Sequence, residues 1–143
     1  MPKAHFDHVL QELDALESEL EPMRVVIDSG EQRFRRAPAA RGIAYQHLES
    51  AMAHTLESAR ALIEEAAWEV PEETAEAIHL LVEQDVVPER IGTDIVEIVE
   101  FMAENAGDDG WEAPRLFDRV AQGVDTLGEY VEYVHHFMKA WGE

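Results

Sequence analysis

The chain of 143 residues contains no cysteine. Disulfides, thiolate zinc sites and thiol nucleophiles are thereby excluded. Positive charge is scarce too. Eleven lysines and arginines face 31 aspartates and glutamates, for a formal charge of −20, and the lysines are only Lys3 and Lys139. Such a surface lacks the basic patch that nucleic-acid binding draws on, so neither DNA nor RNA is an expected partner. No run of about 18 apolar residues occurs, which excludes a helical membrane span. The start, MPKAHFDHVLQEL, has no basic region leading into an apolar block. No signal peptide is therefore expected, and the location read from the sequence is cytoplasmic. The excess carboxylates repel one another and oppose compaction. Strong salt screens that repulsion within about 3 Å, so the composition points to a salt-adapted, halophilic source.

What is present is helical periodicity in a chain that is 46% hydrophobic. Phe6, Val9, Leu13, Leu16, Leu20, Met23 and Ile27 alternate steps of three and four, which predicts a helix over about 2–27. Pro22 inside it predicts a kink or break near Glu21. A linker is expected over about 28–37. Pro38, Pro71, Pro88 and Pro114 each precede a periodic segment, as proline does at a first helical position. Helices are accordingly expected over about 38–68, 71–83, 88–105 and 114–141. The second would bury Tyr45, Leu48, Met52, Leu56, Ala59, Leu62, Ile63 and Ala66, and the third Ile78 and Leu81. The fourth would bury Ile91, Ile95, Ile98, Val99 and Met102. The last carries Phe117, Val120, Val124, Leu127, Val131, Val134, Met138 and Trp141 in one stripe. No segment alternates as a strand would. The expected fold is all-α: one domain over 1–143, an up-and-down bundle of about five helices with a loop at about 105–113. The long first and last stripes suit a core or a seam between two copies, so a homodimer is expected.

AIHLLVEQDVVPERIGTDIVEIVEF, from Ala77 to Phe101, joins a short helix, a VEQDVVPE turn and an amphipathic helix ending in an aromatic residue. This stretch, with helices of matching order around it, resembles the HepT-like branch of the HEPN superfamily, of the domain-of-unknown-function 86 type. The resemblance implies a dimer of helical bundles, metal-independent ribonuclease chemistry without a cofactor, and a nucleotidyltransferase-type antitoxin as partner. It also implies an arginine, a polar residue, a few spacers and a histidine directly after Phe101, often with a tyrosine two residues further on. The chain reads Met102, Ala103, Glu104, Asn105, Ala106, Gly107, Asp108, Asp109 instead. The arginine position holds Met102, and no histidine follows before His135. Carboxylates at Glu104, Asp108 and Asp109 would repel an RNA phosphate. The resemblance therefore implies a HepT-like scaffold whose catalytic motif has degenerated, acting as a binding module; the alternative is a ribonuclease whose site has moved.

Other constellations are weaker. Arg41 and His47 have the arginine-to-histidine spacing but stand at the start of the second expected helix. Arg33, Arg35, Arg36 and Arg41 crowd into QRFRRAPAAR, an arrangement that either pairs with nearby carboxylates or contacts an anion through guanidinium forks. Glu76 with His79, and Glu132 with His135, place a carboxylate and an imidazole three residues apart, as di-metal bundles do. His5 and His8 stand one turn apart. Chance pairing accounts for such spacings among seven histidines, so no metal or cofactor is expected. Ser18, Ser29, Ser50 and Ser58 lack a nucleophile context, and Gly107 and Gly110 do not form a phosphate loop. Trp68, Trp111 and Trp141 read as packing residues.

Overall fold

The structure, a computed structural model, describes residues 6–107 and 109–141. It contains α1 (Asp7–Asp28), α2 (Glu31–Arg36), α3 (Pro38–Glu65), α4 (Thr74–Glu83), α5 (Glu89–Glu104) and α6 (Leu116–Ala140), with a 3₁₀ turn at Gly110–Glu112 before α6. There is no strand among the described residues. The expected helix start at Pro2, together with His5 and Asp108, lies outside the described residues. Among the described residues, no helix is long and apolar enough to cross a membrane.

Side-chain pairs set the helix directions. Glu19 meets His47 and Glu12 meets His54, so α1 and α3 run antiparallel. Arg90 meets Glu129, and Glu97 meets Gln122, so α5 and α6 do likewise. Tyr130 meets Ser58 and Phe137 meets Trp68, which makes α6 parallel to α3. His135 approaches Glu17, which makes α6 antiparallel to α1 and closes the ring. The four long helices thus alternate up and down in chain order, with α4 wedged between α3 and α5. Arg90 holds both Glu129 oxygens at 3.0 Å. That fork keeps the Glu129 carboxyl below the usual carboxylate range.

Most of the core follows the periodicity, although Leu56, Val99, Met102, Phe117, Val124 and Met138, expected inside, are only half-buried at its edge. Val9, Leu13, Leu16, Leu20 and Met23 of α1, Leu48, Leu62 and Ile63 of α3, Ile78 and Leu81 of α4, Ile91, Ile95 and Ile98 of α5, and Val120, Leu127 and Val134 of α6 are buried. The apolar stripe of α1 continues on both sides of Pro22, and the helix is unbroken there, contrary to the expected break. Burial of the stripe on both sides of Pro22 offsets the backbone hydrogen bond that proline removes. The expected linker is the second departure: residues 31–36 form α2, anchored by buried Phe34 against Phe117. Its polar run hid a single buried anchor. Helix starts also shift. Pro38 begins α3 as expected, but Pro71 precedes α4 by three residues. Pro88 is the N-cap of α5, and Arg115 separates Pro114 from α6. Trp141, expected to close the last stripe, is 39% exposed on top of an aromatic cluster with Phe6, Trp68 and Phe137.

Where α4 and α5 cross, Gly92 admits Val82. A Cβ at Gly92 would lie 2.5 Å from Val82 Cγ2. Gly92→Ala should therefore destabilise the fold by about 1–2 kcal/mol, because overpacking outweighs the gain in helix propensity. Urea midpoints check this, and adding Val82→Ala should restore most of the loss.

Inside the bundle, Tyr130 is fully buried. Its hydroxyl lies 2.7 Å from Ser58 Oγ and 3.3 Å from the Thr55 carbonyl oxygen. Burial pushes the phenol well above its ordinary value, and the Ser58 hydrogen bond only partly opposes this. The folded chain thus keeps a proton that the unfolded chain releases near pH 10. The stability tied to Tyr130 is complete below that pH and declines as pH rises above it. Tyr130→Phe should flatten the decline in an alkaline denaturation series. A smaller slope should remain from Tyr45, which is shifted the same way by burial and by Glu49.

Candidate functional site

The position after Phe101 is the end of α5. Phe101 is buried, Met102 is half-buried, and Ala103 and Glu104 face solvent. Asn105 ends the helix, and its side-chain amide donates to the Phe101 carbonyl at 2.9 Å. Gly107 turns the chain with φ of +126°, in the left-handed region that favours glycine. Asn105 and Gly107 therefore terminate α5. Asp109 is exposed at the start of the 3₁₀ turn.

The segment then folds back over α3. The Tyr45 hydroxyl donates to the Asn105 carbonyl at 3.1 Å. Gly110 is buried directly on the Tyr45 ring, where any Cβ would overlap the phenol. One turn earlier on α3, the Arg41 guanidinium lies 5.3 Å from the centre of the Trp111 ring, within cation–π range. Arg41 also donates through Nη1 to the Arg35 carbonyl. Its Nε is buried without a hydrogen-bond partner among the described residues. Loop and helix are thus clasped by a phenol, an arginine and an indole. A second guanidinium, Arg119, lies 5.8 Å from the centre of the Phe101 ring and donates to Gln122 at 2.7 Å.

A cleft of about 540 Å³ opens beside this clasp, between α2, the start of α3, the loop and the start of α6. Arg35, Arg41 and Arg115 line it, as do Glu31, Glu112 and Asp118. Among the described residues, no histidine lines it.

The residues singled out in the sequence distribute as follows. Arg41 belongs to the clasp, whereas His47 contacts Glu19 of α1 through Nδ1 at 2.5 Å. Their partners lie on different elements, so no arginine–histidine pair forms there. Arg35 pairs with Glu31 at 3.1 Å and turns to the cleft. Arg33 and Arg36 line a separate depression beside Ser29 and Gly30. Glu76 and His79 share the wall of a wide depression of about 910 Å³ with Trp68, Pro71 and Leu80. Glu132 is exposed, while His135 turns to Glu17 at 3.9 Å. Among the described residues, no group of three or more histidine or acidic side chains is arranged to hold a metal ion. Sequence reasoning passed over Arg115 and Tyr45 as site residues. Arg115 carries no motif, and Tyr45 reads as one more stripe residue. Only the folded-back loop brings them beside Arg41.

No sequence family matches the chain, and no curated protein matches it. Solved structures do resemble it. A toxin–antitoxin structure with AMP-PNP aligns over 90% of this chain and 97% of the other, with a TM-score of 0.78 at 10% identity. A mutant MntA–HpeT toxin–antitoxin aligns over 91% and 98%, with a TM-score of 0.78 at 8% identity. A tri-AMPylated Shewanella oneidensis HEPN toxin in complex with MNT antitoxin aligns over 91% and 98%, with a TM-score of 0.76 at 11% identity. Likeness over nearly the whole length of both chains, at such low identity, concerns the arrangement of helices. The chain has the HepT-like HEPN fold.

Proposed function

We propose that this chain is a HepT-like HEPN protein that acts as a dimeric binding module without ribonuclease chemistry, in a toxin–antitoxin-type pairing with a nucleotidyltransferase. The pairing is supported by the similar toxins, which are in complex with an antitoxin. The loss of ribonuclease chemistry rests on one observation. The turn after Phe101 holds Met102, Ala103, Asn105 and Asp109 where the resemblance calls for an arginine and a histidine, so the cation that would steady a phosphorane and the imidazole that would move its proton are missing from that turn. The displaced-site reading is weakened by the separate partners of Arg41 and His47. The metal-enzyme reading is weakened because Glu132 is solvated and His135 turns toward α1.

The stripes of α1 and α6 are consumed by the chain's own core, so a second copy would have to cover other apolar surface. Val25 is 59% exposed and Ile43 is 49% exposed. The register that sets Glu19 against His47 brings these two to the same end of the α1–α3 pair. A dimer through that end should scatter light as twice the chain mass at micromolar concentration, and Ile43→Glu should halve it. In an RNase assay, the purified protein should leave a structured RNA intact with or without magnesium. Cleavage that disappears on Arg41→Ala or His47→Ala would overturn the non-catalytic reading. A co-purified nucleotidyltransferase that binds wild type stoichiometrically would support the partner, and a failure of any such enzyme from the same operon to bind would remove it.

A further inference from the structure

We infer that the cleft between α2, the 105–113 loop and the start of α6 binds a compact phosphate-bearing anion through Arg41, Arg115 and Arg35. This inference does not depend on the dimer, the partner or the ribonuclease question. The chain has only 11 lysines and arginines, yet three arginines meet at one cleft. At about 540 Å³ the cleft falls within the roughly 300–1,000 Å³ typical of small-molecule sites.

Each cation is presented differently. Arg41 is held in place: Trp111 lies against its guanidinium, Nη1 donates to the Arg35 carbonyl, and Nε is buried with no partner among the described residues. A planar fork fixed in this way loses little freedom on meeting a phosphate, whose oxygens match its donors. Arg115 is unpaired. Its guanidinium has no hydrogen-bond or ion-pair partner among the described residues, and its backbone sits in the left-handed region at φ 67°, ψ 14°. A residue with a Cβ is disfavoured there, and such conformations concentrate where a site demands them. Arg35 shares Glu31, which can release it to an incoming anion.

The cleft also receives the start of a 25-residue helix. No side chain caps the first turn of α6, and Leu116, Phe117 and Asp118 of that turn line the cleft. Free N–H groups and the positive end of the dipole favour an anion at such a place. The carboxylates Glu31, Glu112 and Asp118 set the selection. In a lining that carries as many carboxylates as arginines, a chain of phosphates is repelled more than a single phosphate group is. The ligand class is therefore a small phosphate monoester or free phosphate, and RNA is not the ligand.

Calorimetric titration at constant ionic strength, with inorganic phosphate and with AMP as probes, tests this. Wild type should bind saturably. Arg115→Gln and Arg41→Lys should each weaken binding at least tenfold, with the helical circular dichroism unchanged. Arg33→Gln, on the neighbouring depression, should leave it unaltered. Saturable binding of both probes identifies the phosphate group itself as the ligand, and binding of AMP alone identifies a nucleotide source. Arg115→Gly should raise the melting temperature while abolishing binding, because glycine relieves the left-handed conformation and removes the cation. The inference fails if neither probe saturates, if Arg115→Gln binds as wild type does, or if a short RNA binds through these arginines more tightly than AMP.

Discussion

Raising potassium chloride from about 0.01 M to about 1 M should stabilise this protein by several kcal/mol, read as a rise in denaturant midpoint in urea at pH 7. Its formal charge is −20. Two unit charges 20 Å apart in water repel by about 0.2 kcal/mol, and the excess carboxylates multiply that term over many pairs. The screening length falls from about 30 Å to about 3 Å across the salt range, so most of the repulsion vanishes. Urea is the right denaturant because it adds no salt of its own. Potassium chloride is the right salt because sulfate would also strengthen apolar burial and confuse the cause. The ion pairs on the surface oppose the expected effect only weakly. Arg90–Glu129, Arg24–Glu21 and Arg35–Glu31 are exposed, and surface pairs contribute little. A midpoint that stays level, or falls, would mean that local pairing outweighs the net charge.

Gly110→Ala should cost about 2–4 kcal/mol and free the loop from α3. The added methyl would overlap the Tyr45 phenol. Tyr45 is only 7% exposed and is tied to the Asn105 carbonyl, so it cannot swing aside without losing that bond. Overpacking accounts for about 1–3 kcal/mol and the lost hydrogen bond for about 1 kcal/mol. The coupling is testable. In a Tyr45→Ala background, Gly110→Ala should cost little, and the double-mutant cycle should return most of the single-mutant loss as interaction energy. Limited proteolysis should cut the single variant within residues 105–113 and leave wild type intact. Equal costs in both backgrounds would show that the glycine serves the 3₁₀ turn alone.

Which parts of this were visible in the sequence follows from periodicity. A three-four stripe on α1 can bury itself in only one way, so Val9 to Met23 were legible as core. Tyr130 was not, although it is fully buried. It stands one residue off the α6 stripe, and only an α6 packed against both α1 and α3 widens the buried face enough to include it. Phe34 was hidden for the converse reason: a lone aromatic among arginines and glutamates gives no period, and Phe117 supplies its partner from the far end of the chain. The helix-ending role of Asn105 and Gly107 was readable because side-chain chemistry within four residues decides it.

Composition and spacing alone determined the absence of thiol chemistry, the all-helical class and the excess of negative charge, since each depends on residue type or on contacts within one helix. Tertiary structure alone decided that Pro22 would not break α1, that Arg41 would lie against Trp111, and that Arg35, Arg41 and Arg115 would share a cleft. Those outcomes join residues up to 80 positions apart. No local rule fixes which of several packings brings them together, because the deciding energy comes from burying the faces of whole helices against one another.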